Sequence, residues 1–192
     1  MDVITLQENS TWELMWAPYD QKTYQSVLDH INADDNVLEI GAGDLRLAVQ
    51  IAQIAHHVTA IEIHQELLEQ TLSDHSANFP ANLTILLGDA QWIPFPREIS
   101  VGVLLMRHCT HFALYASKLK SNGCKWLITN ARWRLGVEIV DLQAVRQPFN
   151  NIGMGWYACQ CGAVGFLPGP VEEYTFEMDQ NVHEVFGCPQ CS

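Results

Sequence analysis

The stretch VLEIGAGDLRLA, Val37 to Ala48, sets a carboxylate, Glu39, directly before two glycines, Gly41 and Gly43. Such a turn leaves the main chain bare, so a ligand can approach its amides and the start of the following segment. Acids recur at equivalent places downstream. Glu62 stands near the end of VTAIEI, followed by Ile63, and Asp89 closes LTILLGD, followed by Ala90. Arg107, His108 and His111 follow the run VGVLLM. A histidine there could take a proton from an O–H or N–H nucleophile, and an arginine could hold a carboxylate or phosphate. A buried structural histidine is the competing reading. Four cysteines form a further constellation: Cys159 and Cys161 in ACQCG, Cys188 and Cys191 in GCPQC. Two thiolate knuckles of this kind can complete a tetrahedral zinc site. The first pair is Cys-x-Cys where Cys-x-x-Cys is usual, so free or redox-active thiols and an iron centre compete with zinc. Cys109 and Cys124 read as packing residues.

The elements that must position these groups follow from hydrophobic pattern. A helix is expected from about Tyr24 to Ile31, then a strand over Val37–Ile40, the glycine turn, and a helix from about Leu45 to Ala55. Val58–Ile63 is rich in β-branched residues and reads as a second strand. The pattern continues with a helix, a third strand ending at Asp89, a fourth over Val101–Met106, a helix over Phe112–Lys120 and a fifth strand over Cys124–Asn130. Strands that are unbroken apolar runs, alternating with helices, imply a parallel sheet buried on both faces. The composition changes near Arg146–Gly155, beyond which glycine, proline, aromatics and paired cysteines dominate. Two units are therefore expected, residues 1–150 and a cysteine-rich zinc-ribbon-like module over 151–192.

Three chemistries compete for the glycine turn. A P-loop needs Gly-Lys-Ser/Thr, which GAGDLR lacks. A dinucleotide fingerprint wants a third glycine where Arg46 stands. S-adenosylmethionine (SAM) presents an amino acid, a ribose and an adenine in a line, so acids at successive strand ends suit it. Glu39 would then anchor the ammonium end, Glu62 the ribose hydroxyls, and Asp89 with the Ala90 amide the adenine. Tyr19, with Gln21 and Tyr24, precedes the first strand, where a lid could close over the ligand.

In this order and spacing, VLEIGAGDLRLA, VTAIEIH and LTILLGDA resemble the first three motifs of class I SAM-dependent methyltransferases. Within that class they are most similar to the rRNA adenine dimethyltransferase family, over about Tyr19 to Ala90. The resemblance implies a doubly wound, mostly parallel, Rossmann-like sheet of seven strands with a reversed last strand. It also implies SAM as cofactor. The sequence departs from the pattern at two places. Leu45 stands where methyltransferases often have a further glycine. LLMRHCTHF replaces the family's Asn-Leu-Pro-Tyr-type motif after the fourth strand, so transfer to an adenine amino group does not carry over.

Charge bears on the partner. The formal net charge is -12, yet seven of the ten basic residues lie between Arg97 and Arg134, and the last forty residues contain none. Arg107, Arg132 and Arg134 fall just beyond strand ends, and Trp133 between two of them suits stacking. A local positive field facing the methyl group is expected, within a chain that repels long nucleic acid. The expected function is thus SAM-dependent methyl transfer to an O or N nucleophile of a small anionic substrate or short nucleotide. The alternatives are an enzyme acting on structured RNA, in the manner of an rRNA adenine N6-methyltransferase, and a non-catalytic SAM-fold module binding a protein partner through its zinc tail. No apolar run reaches the ~18 residues of a membrane span, and the N-terminus lacks a signal-peptide layout. A cytoplasmic location is expected.

Overall fold

The computed structural model describes residues 19–75, 79–107, 109–132 and 136–191. Asp20 caps the first helix, α1 (Gln21–Leu28), accepting a hydrogen bond from the Thr23 amide at 2.8 Å. Tyr24 and Val27 form its buried stripe. Strand β1 (Asn36–Ile40) leads through the glycine turn into α2 (Arg46–Ala52). There follow β2 (His57–Glu62), α3 (Gln65–His75), β3 (Leu83–Leu87), β4 (Val101–Leu104), α4 (Phe112–Ser121) and β5 (Trp126–Thr129). Strand β6 (Glu138–Asp141) completes a sheet ordered β3-β2-β1-β4-β5-β6. All pairings are parallel except β5 with β6. The sheet is covered on both faces, as its apolar strands require. One core joins Val37, Val58, Val103 and Ile128 to α1 and α2; the other joins Leu38, Ile61, Leu104 and Leu127 to α4.

The reversed edge strand agrees with expectation, but the sheet has six strands among the described residues where seven were expected. A second sheet, ordered β7-β10-β8-β9, is built from β7 (Gln147–Pro148), β8 (Gly155–Cys159), β9 (Val164–Leu167) and β10 (Val182–Phe186), with a short helix α5 (Phe176–Gln180). Its small core is Tyr157, Cys159, Val185 and Cys188.

Arg132 ties the two sheets together. Its side chain is 1% exposed and donates to Glu138 through Nε and Nη2 (both 2.8 Å) and to Glu184 through Nη2 (2.7 Å) and Nη1 (3.2 Å). Gly162, on the turn after β8, lies against the Phe112 ring so closely that a Cβ there would meet it at 3.1 Å. No helix among the described residues is long and apolar enough to cross a membrane.

Candidate functional site

The parallel order reverses beside β1, whose neighbours are β2 on one side and β4 on the other. In open sheets of this kind the crevice for a ligand opens at the carboxyl ends of the strands where the winding reverses. A cavity of about 1150 Å³ lies there. Its lining includes Glu39, Gly41, Gly43, Glu62 and Ile63, together with Tyr19 and Arg107. Seven expected site residues, four sequence segments apart, are therefore brought together.

Backbone geometry explains how the turn is held. Gly41 and Gly43 take positive φ values of 74° and 58°, which cost glycine little. A Cβ on Gly41 would also meet the Met106 side chain at 2.8 Å. Leu45 adopts φ 65° as well, a left-handed conformation unusual for a branched side chain, and its side chain is fully buried. Glu62 fixes the turn to the end of β2. One carboxylate oxygen accepts from the Gly43 amide at 2.7 Å, and the other from the Ile63 and His64 amides at 2.8 Å each.

Glu39 is different. It is 4% exposed, and its Oε2 has no hydrogen-bond partner among the described residues. Burial pushes its pKa well above the ordinary carboxyl value, and the nearby Asp44 and Glu62 carboxylates push the same way. Asp44, Glu66 and Glu69 also line the cavity. Asp44 is engaged by its neighbour, accepting from Arg46 Nε at 2.7 Å. Five carboxyl groups around one cavity favour a cationic or hydroxyl-bearing ligand and repel a phosphate. At the far side, the Arg107 guanidinium lies over the Tyr19 ring, 5.3 Å from its centroid, and the Arg107 amide donates to the Tyr19 hydroxyl at 3.4 Å. Burial pushes Tyr24, also in the wall, up to about 12.

Asp44, His64 and Gln65 escaped the sequence reading although they line the cavity. Their signal was positional: Asp44 directly follows Gly43, and His64 and Gln65 lie two and three residues past the end of β2, where the next helix begins.

Other expected residues are placed elsewhere. Asp89 and Ala90 do not line the cavity. The Asp89 carboxylate accepts from the amide and side chain of Gln91, and the Ala90 carbonyl accepts from Lys118 Nζ. His111 is exposed, precedes α4 and meets Tyr115 edge-on at 6.1 Å, outside the cavity wall. His108, Trp133 and Arg134 lie outside the described residues. Cys109 and Cys124 pack as expected, each with its thiol pushed up by burial.

Of the three arginines expected to face the methyl group, Arg107 lines the cavity, Arg134 lies outside the described residues, and Arg132 turns inward. Arg132 is buried between two glutamates, and Lys118 donates to the carbonyls of Ala90, Gln91 and Ile93. Lys118 and, through Glu184, Arg132 satisfy internal acceptors distant in sequence, while Glu138 is six residues from Arg132.

Cys159, Cys161, Cys188 and Cys191 converge, their sulfurs all within 4.8 Å of one another. Three of the separations are 3.5 Å, 3.6 Å and 3.8 Å. A tetrahedron with metal–sulfur bonds of about 2.3 Å has edges of about 3.8 Å, and a disulfide would need about 2.05 Å. Burial works against a thiolate at Cys159, but hydrogen bonds from the amides at Cys161 and Cys188 and from the Cys191 and Cys161 thiols together outweigh it and bring its pKa down to about 7. The donor set fits a metal ion.

A doubly wound sheet with an acid-lined cavity at its reversal point defines a Rossmann-like ligand-binding protein. Residues 19–125 match the model of the ribosomal RNA adenine dimethylase family. The chain belongs to that family. It is 37% identical over 79 residues to a probable ribosomal RNA small subunit methyltransferase A of Methanothermobacter thermautotrophicus, covering 40% of this chain and 28% of that protein. It is 41% identical over 76 residues to ribosomal RNA small subunit methyltransferase A of Lactiplantibacillus plantarum, covering 35% and 26%. The chain thus matches little more than a quarter of either relative's length. Among solved structures, a dimethyladenosine transferase from Plasmodium falciparum shares the fold with a TM-score of 0.51 at 23% identity, covering 57% of this chain and 41% of that one.

Proposed function

We propose that the chain binds SAM in the cavity at the β1–β2 edge and transfers its methyl group to a nucleotide of RNA. The observation that carries this reading is Glu39, a buried carboxyl with an unpartnered oxygen in a wall of acids. An ammonium group meets that oxygen's need, while a pyrophosphate would meet five carboxyl groups. Family membership and the relatives' names support RNA over a small anionic metabolite, and the internal pairing of Arg132 and Lys118 removes much of the case for the metabolite.

SAM held there would supply an electrophilic methyl group; the C–S bond pair would stay on sulfur and the proton of the nucleophile would leave to solvent. Glu39 would take the ammonium end, and Gly41 and Gly43 would give close approach to the main chain. Glu62 retains lone pairs beyond its three amide bonds for the ribose hydroxyls. Ile63 would flank the adenine, with Asp89 and the Ala90 amide further along the same edge if the β3 turn adjusts. Tyr19 and Arg107 would close the substrate side, and Arg107 or His111 would contact the RNA. We further propose zinc in the four-cysteine cluster, as a structural staple for residues 151–192, which carry few aliphatic side chains.

Isothermal calorimetry with SAM, followed by transfer of labelled methyl to rRNA fragments, tests the reading. Micromolar SAM binding and labelled RNA are expected. SAM binding with no transfer to any RNA would favour the non-catalytic module, a reading that the absent Asn-Leu-Pro-Tyr motif keeps in play.

A further inference from the structure

Asn130 follows β5, is 4% exposed, and neither its Oδ1 nor its Nδ2 has a hydrogen-bond partner among the described residues. A buried amide left with both ends open costs stability, so such a group calls for a role. Its position is informative. Strand alternation puts Asn130 on the sheet face of Ile128, because Ala131 packs in the opposite core with Leu127. The same face carries Val37, Val103 and Leu105, and therefore Glu39 at the next alternate position after Val37. Register gives the spacing. Glu39 pairs with Val103, and Val103 with Ile128. Asn130 thus lies two strands from Glu39 and two residues nearer the carboxyl edge, about 12 Å away by strand spacing and rise. Between them, on β4 and just past its end, are Val103 and Leu105. Leu105, level with Asn130, lines the cavity, as does Arg107 two residues further on, so Asn130 sits directly behind that wall and is not part of the lining itself.

We infer that Asn130 is the residue that reads the substrate base, pairing with the edge of a nucleobase that carries an exocyclic amine. The inference rests on the proposed SAM site and deepens it. An asparagine amide matches an amine N–H and the adjacent ring nitrogen in a bidentate pair: Oδ1 accepts from the amine and Nδ2 donates to the ring. Both open valences of Asn130 are then satisfied at once. The pairing also puts a carbonyl on the amine that the family's missing motif would otherwise hold, one strand further over. Adenine and cytosine share this edge chemistry. Uracil can pair with an amide too, but it presents no amine to methylate.

The test compares the full chain with Asn130→Leu and Asn130→Asp. Leucine keeps the volume and removes both polar atoms, so its melting temperature should equal or exceed that of the unchanged chain. Fluorescence titrations use short oligoadenylate, oligocytidylate and oligouridylate, each with and without SAM, and SAM affinity is measured separately by calorimetry. The expected result is tighter binding of an amino base than of uracil, weakened at least tenfold by Asn130→Leu and by Asn130→Asp, with SAM affinity changed less than twofold. Adenylate or cytidylate preference identifies the base. Equal binding of all three oligomers, preference for uracil, no binding of any, or unchanged binding in both variants overturns the inference. A chain that fails to bind SAM yet shows the Asn130-dependent preference overturns the cofactor reading and leaves Asn130 standing.

Discussion

Glu39 shows how one carboxyl can be costly to the fold and useful to the site. Its pKa is raised in the folded chain, so folding favours its protonated form. That contribution is fully present below the ordinary carboxyl value and is lost as pH rises toward the folded value. Stability should therefore fall as pH climbs from about 4.5, and Glu39→Gln should flatten that fall and raise the melting temperature at pH 7. The same variant should weaken SAM by about 1.5–3 kcal/mol, the range of a hydrogen bond to a charged group. Melts and calorimetry from pH 5 to 8 check both signs. A variant that is less stable at pH 7, or that binds SAM equally well, contradicts the assignment. Glu39 was legible in the sequence as an acid beside a glycine turn. That one of its oxygens would be left open was not, because it depends on what the rest of the cavity wall offers.

The turn and helix α2 pose a question of element energetics that Leu45 answers. A left-handed φ costs a leucine about 1–2 kcal/mol, and glycine would relieve it. Yet the side chain is fully buried in the core with Val37, Val58 and Ile51, and truncating such a leucine costs about 2–5 kcal/mol. Burial wins. Leu45→Gly should therefore destabilise the chain by a net of about 1–3 kcal/mol, measured by urea unfolding. A more stable variant would show that strain dominates. At this scale the sequence was most informative. The five parallel strands and the helices around them were evident because each is an apolar run with a clean period. Strand β6 and the second sheet were not, since EIVD has a carboxylate at each end of only two aliphatics and β8 (GWYAC) and β9 (VGFL) mix glycine and aromatics with few aliphatics. The resemblance supplied a strand count of seven that six described strands do not meet.

At the scale of the whole molecule the two sheets are joined through Arg132, which the sequence presents as one more cation in a basic cluster. Its partner Glu184 lies 52 residues away on β10, and no local pattern reveals it. That pair makes the cysteine module part of the main fold's electrostatics. With the proposed zinc removed, the small core around Tyr157 and Cys159 should no longer hold β10 in place, leaving Arg132 with Glu138. Breaking one arm of a buried pair is strongly destabilising, here about 1–2 kcal/mol because Glu184 is itself 33% exposed and screened. Chelation should therefore lower the unfolding temperature of the entire chain, not melt the module alone. Glu184→Gln should lower it in part while one zinc per chain remains bound. The carboxylates at β1 and β2 lie across the sheet from this pair, so SAM affinity should be nearly unchanged below the melt. Near-UV circular dichroism and calorimetry, each with and without chelator, separate these outcomes. Two resolved transitions with the upper one unmoved by chelation would mean that Arg132 does not couple the two sheets.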